Sequence, residues 1–243
     1  MAQRRRSEAS VLREHLLAVL RYLTRSKPIA SYAKTLLTSS SIAVKQLEKA
    51  SQDVWNIVMQ PWTLEVKGAA RRGQQDCTQI VMGAVIKAAG GVLTYQSIPI
   101  NVVVKPRCFA HDPPWCTRPA DSSSATSTRR LHFDFDAAVS KWPKHHMQIG
   151  GNAQELRTAG NYHYAVAEDP SEPRVPAPSL DLVLALDLVL REFDTSLELP
   201  QDVEWRKLVF RSEELCLTPY FTKLLAHLNA ASAEVPLIEY LSK

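Results

Sequence analysis

No two cysteines in this 243-residue chain stand in C-x-x-C spacing. The four present, Cys77, Cys108, Cys116 and Cys216, are too few and too scattered for a secreted disulfide scaffold. Reduced thiols in a cytosolic protein are the simpler expectation. No apolar run approaches the roughly 20 residues that cross a bilayer, and the stretch Leu182–Leu190 is broken by Asp187. Met1–Ser10 is polar and leads into an amphipathic segment, so no signal peptide and no membrane partner are expected. Also missing are G-x-G-x-x-G, the Walker loop, H-E-x-x-H, the G-x-S-x-G elbow and the kinase signatures. Internal repeats are absent as well. These absences set aside the common nucleotide-binding and serine-hydrolase chemistries and leave the cofactor unknown.

What is present is ordinary globular usage. Hydrophobic residues make up 45% and charged residues 22%, which excludes global disorder. The net charge of +4 is mild, and its placement says more than its size. Arg4, Arg5 and Arg6 open the chain, and Arg71–Arg72 and Arg129–Arg130 form two further basic doublets. Such groups are candidates for phosphate contact and hence nucleic-acid binding. The ordinary alternative is a solvated surface.

Apolar spacing predicts a helix from a Ser10 cap to about Ser26, with Leu12, Leu16, Val19, Leu20 and Leu23 on one face. A second helix is expected over Ala30–Ser51, weakened by the hydroxyl run Thr38–Ser41. Trp55–Val66 is ambiguous. Gln74–Ala89 reads as a helix stopped by Gly90–Gly91, and Val92–Val104 as one strand or two broken at Pro99. Pro106–Thr128 reads as a long loop, Arg130–Asp136, His145–Ile149 and Tyr162–Ala167 as strands, and Pro170–Pro178 as a connector. A helix capped by Ser179, a strand over Glu204–Arg211 and a last helix from Thr218 complete the order. The expected architecture is one α+β domain, an antiparallel sheet with helices packed on one face. Residues 1–91 form its mainly helical part and residues 92–243 its sheet part.

The most informative stretch is Leu131–Asp136. Strand side chains alternate faces, so His132, Asp134 and Asp136 share one face while Phe133 and Phe135 take the other. With Phe133 and Phe135 toward the core, the opposite face gathers His132, Asp134, Asp136, His146, Gln148 and His163. Histidine and carboxylate together suit acid–base catalysis or a divalent metal, which points to a metal-dependent nuclease or related hydrolase. The alternative is the wet face of an antiparallel sheet. Cys108, His111 and Cys116 lack the spacing of a zinc finger, so a free-thiol loop is expected there. Asp187 sits four residues from Arg191 on its helix and reads as an exposed or paired edge residue.

Two segments carry a resemblance. Pro143–Gly151 (PKHHMQIGG) and Pro173–Phe193, with its repeated Asp-Leu-Val-Leu, resemble a group of bacterial proteins found among mobile elements and defence islands. The resemblance implies a cytosolic interaction subunit of a bacterial multi-protein system, with a protein partner and a setting in anti-phage defence. It assigns no catalytic residue.

Overall fold

The computed structural model describes residues 6–27, 29, 33–66, 76–105, 127–138, 145–149, 174–176, 178, 180–193, 195 and 197–229. Helices α1 (Glu8–Arg25) and α2 (Lys34–Lys49) come first. Six strands follow: β1 (Trp55–Glu65), β2 (Asp76–Ala89), β3 (Val92–Lys105), β4 (Ser127–Asp136), β5 (His145–Ile149) and β6 (Arg174–Pro176). Helix α3 (Leu182–Glu192), a 3-10 turn (Leu199–Gln201) and α4 (Val203–Ser212) come next. A π-helical turn (Glu213–Leu217) then leads into α5 (Thr218–Asn229). The strands form one antiparallel meander in the order β1-β2-β3-β4-β5-β6. The α+β expectation is met.

The sheet buries one face against the helices. Ile57, Met59, Trp62 and Leu64 of β1 alternate inward, joined by Ile80, Met82 and Ile86 of β2, Ile98 and Ile100 of β3 and Phe133 of β4. Leu16, Leu20 and Leu23 of α1, Leu36 and Leu47 of α2, and Val183 and Leu186 of α3 complete the same cluster. Phe133 is buried in the core as the alternation predicts, whereas Phe135, expected there too, is half-buried, as is Asp134.

Several expectations are corrected. Residues 76–89 form a strand and not a helix. β2 lies between β1 and β3, and Ile80, Val81, Met82 and Ala84 are buried on both of its faces. A strand buried on both sides reads as a continuous apolar run, which periodicity does not separate from a helix. The N-terminal run of helices therefore ends at Lys49, well before residue 91. Gly90 and Gly91, with φ of 60° and 84°, form the two-residue hairpin turn between β2 and β3 and stop no helix. Residues 203–212 form α4 and not a strand. Trp205, Val209 and Ser212 are its buried residues, at helical spacing, and Asp202 caps it by accepting from Glu204 N and Trp205 N. β3 runs unbroken through Pro99, because Ile98 and Ile100 hold the ladder on either side by pairing with Phe133 and Leu131. Arg174–Pro176, expected as part of a connector, is the short strand β6. The expected strand Tyr162–Ala167 and most of the loop Pro106–Thr128 lie outside the described residues; Ser127 and Thr128 open β4.

The hydroxyl run on α2 does not split the helix. Thr38 and Ser41 donate to Lys34 O and Leu37 O one turn back. Ser39 Oγ donates to Gln60 O at 2.9 Å, and Gln46 Oε1 accepts from Val58 N at 3.2 Å. Thr35 Oγ1 accepts from Thr63 N at 3.5 Å. The outer backbone edge of β1 is thus met by side chains of α2. The same accounting governs the start of α1, which Ser7 caps in place of Ser10. Ala9 N–H, one of the helix's orphan donors, bonds Gly91 O at the hairpin tip at 2.9 Å. A Cβ on Gly91 would meet Ser7 Cβ at 3.1 Å.

Candidate functional site

Cross-strand register places the sheet-face residues in rows. Asp134 is the direct partner of Ser97 on β3 and His146 on β5, and His146 in turn of Pro176 on β6. One row along, His132 stands between Pro99 and Gln148, and Gln148 beside Arg174. Directly opposed residues share a face, with Cβ atoms about 4.5–5.5 Å apart. The backbone register thus sets His132 opposite Gln148 and Asp134 opposite His146. Asp136 pairs in register with Tyr95, whose ring carries Lys87 Nζ 5.3 Å from its centroid. His163 lies outside the described residues.

This face is not the wet one that antiparallel sheets commonly present. Val81, Ser97, Pro99 and Asn101, on the same side, are buried, and Asp134 is half-buried. Asn101 Oδ1 is buried without a hydrogen-bond partner. Among the described residues no group of three or more His, Cys, Asp or Glu is placed to hold a metal ion.

Arg129 and Arg130 are neighbours on β4, so they fall on opposite faces: Arg130 pairs with Asn101 and Arg129 with Val102. Arg71–Arg72 lie outside the described residues, as do Cys108, His111 and Cys116.

A second polar cluster escaped sequence reading. Asp181, not Ser179, caps α3, with Oδ1 accepting from Val183 N at 3.0 Å and Leu184 N at 2.9 Å. Its Oδ2 accepts from Ser212 Oγ at 2.7 Å. Since the single hydroxyl proton goes to the carboxylate, Ser212 Oγ accepts from His15 Nε2, also at 2.7 Å. All three side chains are buried. Ser212 is fully enclosed and its proton is directed at the carboxylate, so this is not a hydrolytic triad. It ties α1, the start of α3 and the end of α4 together. His15 also borders a groove of ≈ 660 Å³ whose lips carry Arg6, Glu14 and Arg211. Burial is the main cause that pushes the His15 pKa below its ordinary 6.5; the Asp181 charge opposes the shift and Arg211 adds to it. The Asp-Leu-Val-Leu repeat held the clue, since an Asp immediately before an apolar helical run is a capping signal.

The pH dependence follows from that direction. An unfolded chain binds a proton at His15 near pH 6.5 while the folded chain resists it, so stability is full above that value. It falls as pH drops from 6.5 toward the depressed folded-state value. Thermal unfolding between pH 7.5 and pH 5 is expected to show this loss, and His15→Gln to flatten it. An unchanged slope in the variant would assign the loss to other groups.

Asp187, expected at an exposed or paired edge, is paired but buried. Its Oδ2 accepts from Arg191 Nε at 2.5 Å and its Oδ1 from Trp205 Nε1 at 2.8 Å, so it locks α3 to α4. Taken together, the chain is an α+β protein whose strands β4 and β5 set Asp134 opposite His146 in register. No helix among the described residues is long and apolar enough to cross a membrane. No protein-family model, curated protein or solved structure matches the chain.

Proposed function

We propose that this chain is a cytosolic protein-interaction subunit of a bacterial multi-protein system, with anti-phage defence as its setting. One observation carries the reading. From Val203 to Asn229 the backbone is helical without a break, α4 passing through the π turn into α5. That is about 40 Å of helix. Its first part is anchored by Trp205 and Val209, whereas Phe221, Leu225 and Leu228 are 44%, 58% and 63% exposed. An apolar stripe of this kind on a soluble surface marks an association site. The resemblance of residues 143–151 and 173–193 to proteins of mobile elements and defence islands supplies the setting. Affinity capture from a bacterial host is expected to recover a stoichiometric partner with the wild-type chain and to lose it with the Leu225→Glu, Leu228→Glu double variant. Equal recovery with both chains would end this reading.

The second reading, a metal-dependent nuclease or related phosphodiester hydrolase, is favoured by the Asp134–His146 register pair. Acid–base work there needs contacts of about 2.6–3.2 Å, and a metal needs ligand atoms at about 2.0–2.2 Å. On this reading His132→Ala and Asp134→Asn abolish function in cells while leaving the chain folded and partner-bound. Full activity in both variants, with no metal in the purified protein, would remove it. A nucleic-acid substrate would also bind more weakly as salt rises.

A further inference from the structure

The buried junction at His15 has a side that meets the groove between α1 and α4. Asp181 Oδ2 takes the Ser212 proton, and Ser212 Oγ takes the hydrogen of His15 Nε2, at 2.7 Å in each case. This chain fixes the imidazole in its Nε2–H form, because the hydrogen bond made by one ring nitrogen decides the state of the other. The second nitrogen, Nδ1, then carries the lone pair and can only accept. Among the described residues none bonds it. Burial keeps the ring neutral near pH 7. His15 lines the groove of ≈ 660 Å³, whose apolar walls are Val11, Ala18 and Leu208. A cavity of that size suits a small organic ligand.

Two guanidinium groups stand at the lips of the same groove, Arg6 ahead of α1 and Arg211 near the end of α4. A carboxylate steadies each: Glu14 Oε2 accepts from Arg6 Nη1 at 2.6 Å, and Glu214 Oε2 from Arg211 Nη1 at 2.8 Å. A guanidinium has five N–H donors, so both keep donors to offer. Among the lining residues Arg6 and Arg211 are cations and Glu14 is an anion, so with His15 neutral the walls carry a single net positive charge. The Asp181 charge lies on the inner side of the ring, 3.9 Å from Nε2. A ligand that matches this set brings oxygens for Arg6 and Arg211, one hydrogen for Nδ1 and a single negative charge. An ionised carboxylate or a sulfate ester has no hydrogen to give. A hydrogen phosphate group has both, a P–OH donor and anionic oxygens on one centre.

We infer that the groove between α1 and α4 binds a phosphomonoester as its monoanion, with the P–OH donating to His15 Nδ1, the phosphate oxygens accepting from Arg6 and Arg211, and an apolar body against Val11, Ala18 and Leu208. The site is separate from the exposed stripe on α5 and stands whether or not that stripe has a partner. Calorimetric titration of the full chain with phenyl phosphate and with phenyl sulfate is the test. At about pH 6, near the second phosphate pKa, phenyl phosphate should bind at least about 10-fold tighter than the sulfate, which has a similar shape and lacks the proton. Its affinity should fall about tenfold per pH unit above about pH 7, as the monoanion disappears. The Arg6→Ala, Arg211→Ala double variant changes only exposed side chains. It should lose at least about 10-fold in affinity and keep its melting temperature. Nitrogen NMR of the ring adds an independent reading: an Nε2–H tautomer in the free chain, and a shift of the His15 Nδ1 resonance when phenyl phosphate is added. No binding of phenyl phosphate up to about 10 mM, equal affinity for the two esters, a double variant that binds as the wild type does, or an Nδ1–H tautomer in the free chain each overturns the inference.

Discussion

Asp181→Ala is expected to lower the unfolding free energy by about 3–5 kcal/mol. The carboxylate serves two amides at the start of α3 and the Ser212 hydroxyl, all at a buried junction. Losing the cap alone costs about 0.5–2 kcal/mol, and each buried donor left without an acceptor adds about 1–3 kcal/mol. Asp181→Asn separates the two contributions. Its amide oxygen still caps α3, while its NH2 can donate to Ser212, which then turns its own proton toward His15 Nε2. The Asn variant should therefore lose less than half as much as the Ala variant. Urea denaturation at pH 7 reads both. An Ala variant within about 1 kcal/mol of wild type would mean that the junction does not organise the helices.

Trp205→Ala should cost a comparable amount, about 3–5 kcal/mol. The indole is fully buried, packs against Tyr22 with ring centroids 5.9 Å apart and donates to Asp187 Oδ1. Removing it opens a cavity between α1 and α4 and takes one of two donors from a buried carboxylate. Trp205→Phe keeps most of the volume and drops only the hydrogen bond, for about 1–3 kcal/mol. If the Phe and Ala variants were equally destabilised, the hydrogen bond and not the packing would dominate this contact. Arg191 keeps its bond to Asp187 in either case, so Arg191→Ala combined with Trp205→Phe should exceed the sum of the two single losses.

How much of this was legible depended on where each segment sits. β4 and β5 read correctly as strands because apolar and polar residues alternate along them, with Phe133 and Met147 meeting the core. The cross-strand pairs Asp134–His146 and His132–Gln148 came from the register and were not legible in the sequence, which set those residues only on alternate positions of two strands. β2 misled because both of its faces are buried, which erases the period of two. α4 misled because its short apolar run Leu208–Phe210 reads as a strand, while its true markers were Asp202 at the cap and the four- and three-residue steps from Trp205 to Val209 and Ser212. The junction of His15, Asp181 and Ser212 was beyond reach, since its members come from three elements far apart in sequence. The hydroxyl run on α2 was seen, but its purpose was not: a side chain that weakens a helix in isolation becomes an acceptor or donor once a strand edge lies beside it.

That last arrangement closes one rim of the sheet. A strand at the rim of a sheet normally invites another strand to add by backbone pairing. Along β1 the groups that would recruit it, Val58 N, Gln60 O and Thr63 N, are already engaged by Gln46, Ser39 and Thr35. Pro61 removes one further amide from the same margin. The rim of the sheet along β1 is therefore sealed against polymerisation by the chain's own helix.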